Sequence, residues 1–317
     1  MQPTLCYHAS HEQFAPSHLL RLVQLAEKAG FGAIHSSDHF HPWSEYQGQS
    51  GFSFSWIAAA MQATSLPFSM VCAPGQRYHP AIVAQAIATI AEMFPGRYSV
   101  ELGSGEALNE RITGEPWPTK EERNKRLFQC AQLIKQLLNG EEISATGWVR
   151  VKEAKLYTLP SNIPLLFCAA ISEKTSRWAG AWADGLLTTA GSVNDTMKKI
   201  KAFQQSGGNG KPVYIQFAFS YASNKTAAIE GAWRQWRSNL IAPEKLADFY
   251  KPSHFDNAAA SISREDVAKK IPIITSMDQL AEHIKQLAAL PVTRIILHNV
   301  NTKQEMFLEN FGHYGLH

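Results

Sequence analysis

The residues best suited to chemistry lie in one short stretch, residues 38–43, which reads Asp-His-Phe-His-Pro-Trp. It follows an apolar run at 31–34 that has a helix-like segment on each side. In α/β proteins, titratable groups at the carboxyl end of a buried parallel strand form active sites. A neutral imidazole at His39 can accept a proton, and a carboxylate at Asp38 can orient a hydroxyl. We therefore predict a site containing Asp38, His39 and Trp43.

The same stretch permits a metal site as an alternative. If the strand stayed extended, His35, His39 and His41 would share one face, with Asp38 close by. Imidazole and carboxylate are common ligands of catalytic metals, so this arrangement would suit a metal-dependent hydrolase. No second His, Asp or Glu cluster with ligand spacing supports it. The main interpretation therefore assigns structural roles to His35 and His41 and includes no metal.

A second stretch whose residues could take part in binding or catalysis is 101–110, which reads Glu-Leu-Gly-Ser-Gly-Glu-Ala-Leu-Asn-Glu. It is not a dinucleotide fingerprint, because Leu108 stands where the third glycine is required. Small residues after a strand let the backbone approach a flat ligand. Glu106 and Asn109 would then offer an acid and an amide at the mouth of the site. The alternative is an ordinary turn followed by a helix cap.

Two further strand ends are weaker candidates. Residues 168–175 run from an apolar strand into a helix start, where Ser172 is a plausible N-cap. Free N–H groups at such a helix start bind anions such as phosphate, although a capped helix without a ligand is an equal alternative. Residues 68–74 form an apolar run that ends at Pro74, which by itself indicates only a strand.

The elements that must position these residues alternate along the chain. Short apolar strands alternating with amphipathic helices predict parallel βαβ units, and eight of them predict a (β/α)8 TIM barrel of the α/β class. Strands are predicted at 4–7, at the start of 31–43, and at 68–72, 98–102, 165–169, 186–189, 213–221 and 294–297. Helices are predicted at 16–29, 54–63, 80–94, 120–139, 175–183, 193–205, 225–240, 279–290 and 304–311. Two insertions are expected, a β-hairpin at 143–157 before strand five and an irregular excursion around residues 241–272. No linker or repeat divides the chain, so we predict one domain over residues 1–317.

The composition of the chain argues against a nucleic-acid-binding, a disulfide-rich or a membrane-spanning protein. The 317 residues are 45% hydrophobic with a net charge of +3 spread along the chain, which argues against a nucleic-acid binder. Four well-separated cysteines suggest buried thiols in a reducing compartment, not disulfides. No apolar run approaches membrane-spanning length, and the N-terminus lacks signal-peptide features. We expect a cytoplasmic protein that acts on a small molecule, with no nucleic-acid or membrane partner.

Taken together, several segments make the chain resemble the bacterial luciferase-like flavin and deazaflavin oxidoreductases. The resemblance is nearest to the branch that contains the deazaflavin-dependent glucose-6-phosphate dehydrogenases, and it covers nearly the whole chain. Each segment is weak alone, but their order and spacing together are specific. They are residues 37–40 with Trp43, 77–81 with 84–86, 103–110, 179–180 with 183–185, and the hairpin before strand five.

The resemblance implies a barrel with an isoalloxazine-type ring in its mouth. His39, Trp43 and Glu106 would line the reaction face, with His39 as the base that takes the substrate's hydroxyl proton and Glu106 as an acid near the ring. The peptide bond before Val71 would be a non-prolyl cis bond that supports the ring from behind. A homodimer is also implied. The residues implied to contact the cofactor are Asp38, Met70, Val71, Asn109, Ala170, Ile171 and Ser172.

Two departures from that branch bear on cofactor and substrate. The phosphate loop of the deazaflavin branch is usually glycine-rich, whereas this chain has Ile171 and Ser172 there. The loop after strand six, residues 188–192, lacks the lysine of the sugar-phosphate oxidisers. We therefore expect FMN, with the 8-hydroxy-5-deazaflavin coenzyme as the alternative, in an oxidoreductase or reduced-flavin monooxygenase. A non-catalytic flavin-binding protein is a further alternative.

Overall fold

A closed barrel of eight parallel strands forms the centre of the protein. The computed structural model describes residues 2–316, without the side chains of residues 243 and 244. Each strand pairs with the next, and the last pairs with the first, which closes the (β/α)8 barrel. The strands are β1 (Thr4–Ala9), β2 (Ala33–Ser36), β3 (Phe68–Cys72), β4 (Tyr98–Leu102), β5 (Leu166–Ala169), β6 (Gly185–Thr189), β7 (Val213–Tyr221) and β8 (Arg294–Asn299). The predicted fold class is confirmed.

Helices cover the outside of the barrel between successive strands. Local signals set their starts: Pro80 supplies the first turn of one helix, and Thr119 forms a capping box with Glu122 at the start of another. The long helices are α1 (Pro16–Lys28), α2 (Ser53–Gln62), α3 (Pro80–Met93), α4 (Lys120–Leu138), α5 (Glu173–Gly180), α6 (Val193–Phe203), α7 (Lys225–Trp236), α8 (Met277–Ala288) and α9 (Gln304–Tyr314).

Both predicted insertions are present. In the first, Ile143–Ala145 pairs antiparallel with Val151–Ala154 before β5. The second, expected to be irregular, contains short helices at Pro243–Leu246, Pro252–Ala258 and Arg264–Lys270. It returns to the barrel as a two-residue strand, Ile273–Ile274, beside the end of β7. The excursion is thus an ordered cover near the carboxyl ends of the strands.

The alternation of side chains along each strand produces two cores. Outward-facing residues pack under the helices, where most of the buried apolar side chains lie. Inward-facing residues fill a smaller apolar cluster of Cys6, Ala33, Phe167, Leu187, Tyr214 and Ile296. The interior also holds polar residues, among them His8, His35, Glu101 and His298, all buried. The four cysteines are buried and free, as expected from their spacing.

Within residues 2–316, no helix combines the length and the apolar character that crossing a membrane requires.

The closing helix α9 provides a test of the fold. Phe311 stacks on Phe31 with ring centroids 4.2 Å apart, and both side chains are buried. Phe311→Ala should lower the free energy of unfolding by about 3–5 kcal/mol, because it leaves a cavity between α9 and the barrel. Urea unfolding followed by circular dichroism measures the loss. Met93→Ala, at a side chain that is 51% exposed, is the control, and an equal loss in both variants would contradict this packing.

Candidate active site at the carboxyl end of the barrel

His39 and Glu12 meet at the rim where the strands end. His39 lies on the loop after β2, and its Nδ1 is 3.8 Å from Oε1 of Glu12, which follows β1. The imidazole also lies against Trp43, with ring centroids 5.2 Å apart. A carboxylate beside an imidazole orients the ring and stabilises its protonated form. The pair therefore has the composition of a general base with its supporting anion.

Two hydroxyl groups hold the Glu12 carboxylate in place. Ser10 Oγ donates to Glu12 Oε2 at 2.7 Å, and Ser37 Oγ donates to the same oxygen at 2.9 Å. Burial alone would raise the pKa of Glu12, but His39 and the Ser10 hydroxyl hold it below its ordinary value. Glu12 is thus an anion at neutral pH. The sequence analysis missed this residue, although its place just after the first strand was an available signal.

Trp43 is held by the excursion whose path the sequence could not predict. Phe255, fully buried on the helix Pro252–Ala258, meets the Trp43 ring edge-on at 5.2 Å. The neighbouring Asp256 accepts hydrogen bonds from Ser44 Oγ at 2.6 Å and from the backbone N–H of Glu45. These contacts fix the loop after β2 against the excursion. Trp43 therefore forms a rigid apolar wall beside His39.

Glu106 lies close enough to His39 for their charges to interact. It precedes the short helix Ala107–Glu110 on the loop after β4. Its Oε2 is buried and has no hydrogen-bond partner among the described residues. Burial raises the pKa of Glu106, and the nearby His39 opposes that shift. A carboxyl group in this environment keeps its proton to a higher pH than an exposed glutamate, as an acid catalyst requires.

Asp38 lies at the rim, where both of its oxygens already have protein partners. Arg77 Nη2 donates to Oδ2 at 2.8 Å, and Tyr78 OH donates to Oδ1 at 3.1 Å. The backbone N–H of Arg77 donates to Glu110 Oε2 at 2.7 Å, so one arginine joins two buried carboxylates. This network fastens the loops after β2, β3 and β4 together. In this structure Asp38 therefore helps to hold the loops together.

Asn109 joins the same loops from the other side. Its Oδ1 accepts from the backbone N–H of Phe40 at 2.8 Å and from that of His41 at 3.4 Å. His41 Nδ1 is 2.8 Å from the carbonyl oxygen of Leu108. His41 therefore contacts the loop after β4, and the amide oxygen of Asn109 positions the segment that carries His39.

The residues of the metal alternative do not converge. His35 points into the barrel, where its Nδ1 is 2.8 Å from Nδ1 of His8. His41 contacts the loop after β4, and Asp38 is bonded to Arg77 and Tyr78. Across residues 2–316, no group of three or more His, Cys, Asp or Glu is arranged to hold a metal ion. The geometry thus gives the hydrolase alternative no ligand set.

The expected cis peptide bond at residues 70–71 is wrong. The bond is trans, as are the other peptide bonds in the described part of the chain. Met70 pairs in register with Ser36 on one side and Val100 on the other, while Val71 pairs with Glu101. A trans bond continues this ladder, whereas a cis bond would add about 3–4 kcal/mol. Met70 packs in the outer core, and Val71, on the opposite face, is half-buried.

The predicted phosphate loop is a capped helix start. Ser172 Oγ accepts from the backbone N–H of Thr175 at 3.2 Å. The N–H of Ala170 is bonded to the carbonyl oxygen of Leu187, and the Ile171 side chain is 65% exposed. The segment therefore offers a helix N-terminus, but the Ala170 N–H is engaged in the sheet.

A cation that the sequence analysis missed lies near this end of the barrel. Lys120, the first residue of α4, donates from Nζ to Ser104 Oγ at 2.6 Å on the loop after β4. Desolvation lowers the pKa of Lys120, and Glu106 opposes the shift. An ammonium group here suits a phosphate or carboxylate on a bound ligand.

The Arg77 network gives a second test. Arg77→Met should lower the free energy of unfolding by about 3–5 kcal/mol, because it leaves the buried Asp38 and Glu110 carboxylates without their cation. Denaturant unfolding measures this loss. Lys198→Met, which breaks an exposed ion pair with Asp195, is the matched control and should cost little. Equal effects of the two substitutions would show that the network is not a buried ion pair.

Comparison with known proteins identifies the family. The family model described as "Luciferase-like monooxygenase" matches residues 4–294. Two curated relatives are F420-dependent glucose-6-phosphate dehydrogenases, one from Beutenbergia cavernae (31% identical over 97% of this chain and 95% of that protein) and one from Mycolicibacterium fortuitum (32%, with the same coverage).

Solved structures agree with this assignment. An F420-dependent secondary alcohol dehydrogenase, solved with an F420-acetone adduct, aligns with a TM-score of 0.90 and 26% identity over 99% of this chain and 98% of that one. The monooxygenase RslO1 from Streptomyces bottropensis shares the fold, with a TM-score of 0.75 and 15% identity over 99% and 98% of the two chains. The chain therefore belongs to the luciferase-like monooxygenase family, and it is an oxidoreductase in a family of flavin- and deazaflavin-dependent enzymes.

Proposed function

We propose that the protein moves a hydride between a carbon of a small alcohol or carbonyl compound and a flavin-type ring held in the mouth of the barrel. The observation that carries this proposal is the His39–Glu12 pair, which lies near the half-buried acid Glu106 at the carboxyl end of the barrel. A base and an acid with different environments, brought to one rim, are what reversible alcohol oxidation needs.

The roles of the residues follow from their surroundings. His39 takes the hydroxyl proton as the alcohol carbon is oxidised, and the Glu12 anion stabilises the imidazolium that results. Trp43 excludes water from one side of His39 and gives the substrate an apolar contact surface. Glu106 keeps a proton available near the ring. In the reverse direction, His39 returns the proton to the carbonyl oxygen.

The residues at the rim fit a flavin-type cofactor. When bound, its ring supplies the hydride acceptor. The Glu106 oxygen without a partner would be available to a polar edge of the ring, Val71 would offer an apolar contact, and Lys120 with the start of α5 would offer positive charge for a phosphate. The names of the relatives favour the deazaflavin coenzyme, whereas Ile171 in place of a glycine-rich loop favours FMN. FMN and the deazaflavin coenzyme are therefore both candidates.

Cofactor titration tests the proposal directly. Adding FMN and, separately, the deazaflavin coenzyme to the purified protein should quench the fluorescence of one of them with a saturable, one-to-one isotherm. Riboflavin, which lacks the phosphate, is the control and should bind more weakly. The preferred cofactor should then be reduced by an alcohol in a screen of small secondary alcohols and sugar phosphates. Unchanged fluorescence with both cofactors would overturn the proposal.

Oxygen chemistry is the second candidate, because the matching family model describes monooxygenases. It predicts substrate-dependent oxygen uptake with reduced FMN, and hydride transfer without oxygen would then be absent.

Substitution of the proposed base separates chemistry from binding. His39→Asn should lower kcat by about 10²–10⁴-fold, the usual contribution of a general base, while cofactor affinity stays within a small factor. Glu12→Gln should lower kcat by about 10–100-fold, because it removes one charge-assisted contact to the imidazolium. Steady-state kinetics and cofactor titration measure the two effects.

His18 provides the matched control, since it also contacts a glutamate, Glu305, at 2.6 Å, but lies on α1. His18→Asn should leave kcat unchanged. If His39→Asn weakened cofactor binding as much as it slowed turnover, His39 would be a binding residue and not the base.

A further inference from the structure

Three inward-facing residues form a polar chain inside the barrel that the proposed chemistry does not use. His8 on β1 and His35 on β2 lie opposite each other in the ladder, and their Nδ1 atoms are 2.8 Å apart. On its other side, His35 Nε2 is 3.8 Å from Oε2 of Glu101 on β4, which is beyond hydrogen-bond distance, and neither atom has a hydrogen-bond partner among the described residues. The exposed fractions of His8, His35 and Glu101 are 7%, 2% and 0%. Three titratable groups thus lie in a row where barrels normally place branched apolar side chains.

The short contact between the two histidines requires a single proton between them. Two neutral imidazoles can make an Nδ1–Nδ1 hydrogen bond only if one ring is the Nδ1–H tautomer and the other carries its hydrogen on Nε2. If His8 donates, the Nε2–H of His35 faces Glu101 across 3.8 Å and favours the carboxylate form of Glu101. If His35 donates, its bare Nε2 faces Glu101 and favours the protonated carboxylic acid. The charge of Glu101 and the tautomers of both rings are therefore linked.

We propose that His8, His35 and Glu101 form a buried proton wire that takes up a proton at His8, below the mouth of the barrel, and stores it on Glu101. A proton binds Nε2 of His8, and the Nδ1 proton of His8 passes to Nδ1 of His35. The Nε2 proton of His35 then passes to Oε2 of Glu101 once the two side chains close the 3.8 Å gap between these atoms to hydrogen-bond distance. One proton enters, the carboxylate becomes a neutral acid, and both rings end neutral in their other tautomers. Reversal of the same steps returns the proton.

The electrostatics of the interior agree with this geometry. Burial lowers the pKa of His8 well below its ordinary value and that of His35 to about 3, so neither ring holds an extra proton at neutral pH. Burial raises the pKa of Glu101 to about 7, so the stored proton resides on the carboxyl group. The surrounding polar and titratable groups are Cys6, Ser69, Tyr98, Tyr214 and Arg294 around Glu101, and Glu12, His11, His39 and His298 around the histidines. Of these, the Ser69 hydroxyl and the Arg294 guanidinium oppose proton storage, because both favour the Glu101 anion and lower its pKa.

The outer end of the wire is near the proposed catalytic pair. His8 lies two residues before Ser10 in the chain. The Ser10 hydroxyl donates to Glu12, and Glu12 in turn lies beside His39. His8 also packs on His298 at a ring-centroid distance of 4.0 Å, and Gln216 Nε2 is 3.0 Å from Nδ1 of His298. These contacts hold His8 below the rim. During turnover the wire could receive the proton that His39 takes from the substrate, and this use of the wire rests on the proposed function. The existence of the wire does not rest on it.

The wire can be tested on the protein without cofactor or substrate. Infrared spectra between pH 5 and 9 (about two units either side of the Glu101 pKa) should show a protonated-carboxyl C=O band that disappears with a midpoint near 7. Nitrogen-15 NMR of histidine-labelled protein should show two rings exchanging Nδ1–H for Nε2–H with the same midpoint. Coincident midpoints in the wild-type chain are the expected result, and they do not depend on any variant folding.

Variants assign the signals. Glu101→Gln should abolish both the carboxyl band and the tautomer change, and His8→Phe should abolish the tautomer change while leaving a carboxyl that titrates. Glu309→Gln and His313→Gln, at exposed positions on α9, are the matched controls and should change neither signal. A carboxyl that titrates in the wild type without any change of tautomer would overturn the wire. The absence of a protonated-carboxyl band near neutral pH would overturn storage on Glu101. Neither result would bear on cofactor binding, so this proposal and the proposed function can fail separately.

Discussion

Closure of the barrel by the pairing of β8 with β1 is the constraint on which the rest of the structure depends. Eight parallel strands closed in a ring have all their carboxyl ends on one rim, so loops far apart in sequence become neighbours. The strict alternation of side chains then sends one set under the helices and the other into the barrel. Glu12, His39 and Glu106 meet because each follows a different strand by a few residues.

The loops at that rim are fastened by buried charges. Arg77 joins Asp38 and Glu110, and each carboxylate would be strongly unfavourable in this position without the guanidinium. Such a network adds little to the net free energy of unfolding, but it favours one arrangement of the loops. Each charged group needs its partners in place, so other arrangements of the loops would leave a buried charge unpaired. The segment that carries His39 is tied into this network through Asp38 and through the amide of Asn109. The base role proposed for His39 would benefit from that rigidity, because a base must face its substrate with defined geometry.

Two glutamates that lie beside histidines, Glu12 and Glu101, have opposite electrostatics. Glu12 is bonded to two hydroxyl groups and lies beside His39, which keeps its pKa low, whereas Glu101 lies in the interior, where burial raises its pKa. Environments that separate the pKa values of similar groups assign them to different roles. We assign Glu12 to support the imidazole at the rim as an anion, and Glu101 to take up a proton reversibly inside the barrel. Such a division agrees with the proposed reaction, in which a hydride and a proton leave the substrate together.

What the sequence by itself determined was periodic and local. Alternating short strands and amphipathic helices, Pro80 at a helix start and the apolar run before His39 were sufficient for the barrel, its strand order along the chain and the rim position of His39 and Glu106. These features depend on side-chain period and on neighbours a few residues away, which can be read from the chain directly.

Only the tertiary structure decided the partners of those residues. The contact of Glu12 with His39, of Phe255 with Trp43 and of Arg77 with Asp38 joins segments from different loops, whose backbone follows no repeating pattern. The trans bond before Val71 was decided in the same way, by the pairing of β3 with both neighbours. Side-chain period specifies which face of an element is buried, but contacts between loops depend on how the closed barrel brings its strand ends together.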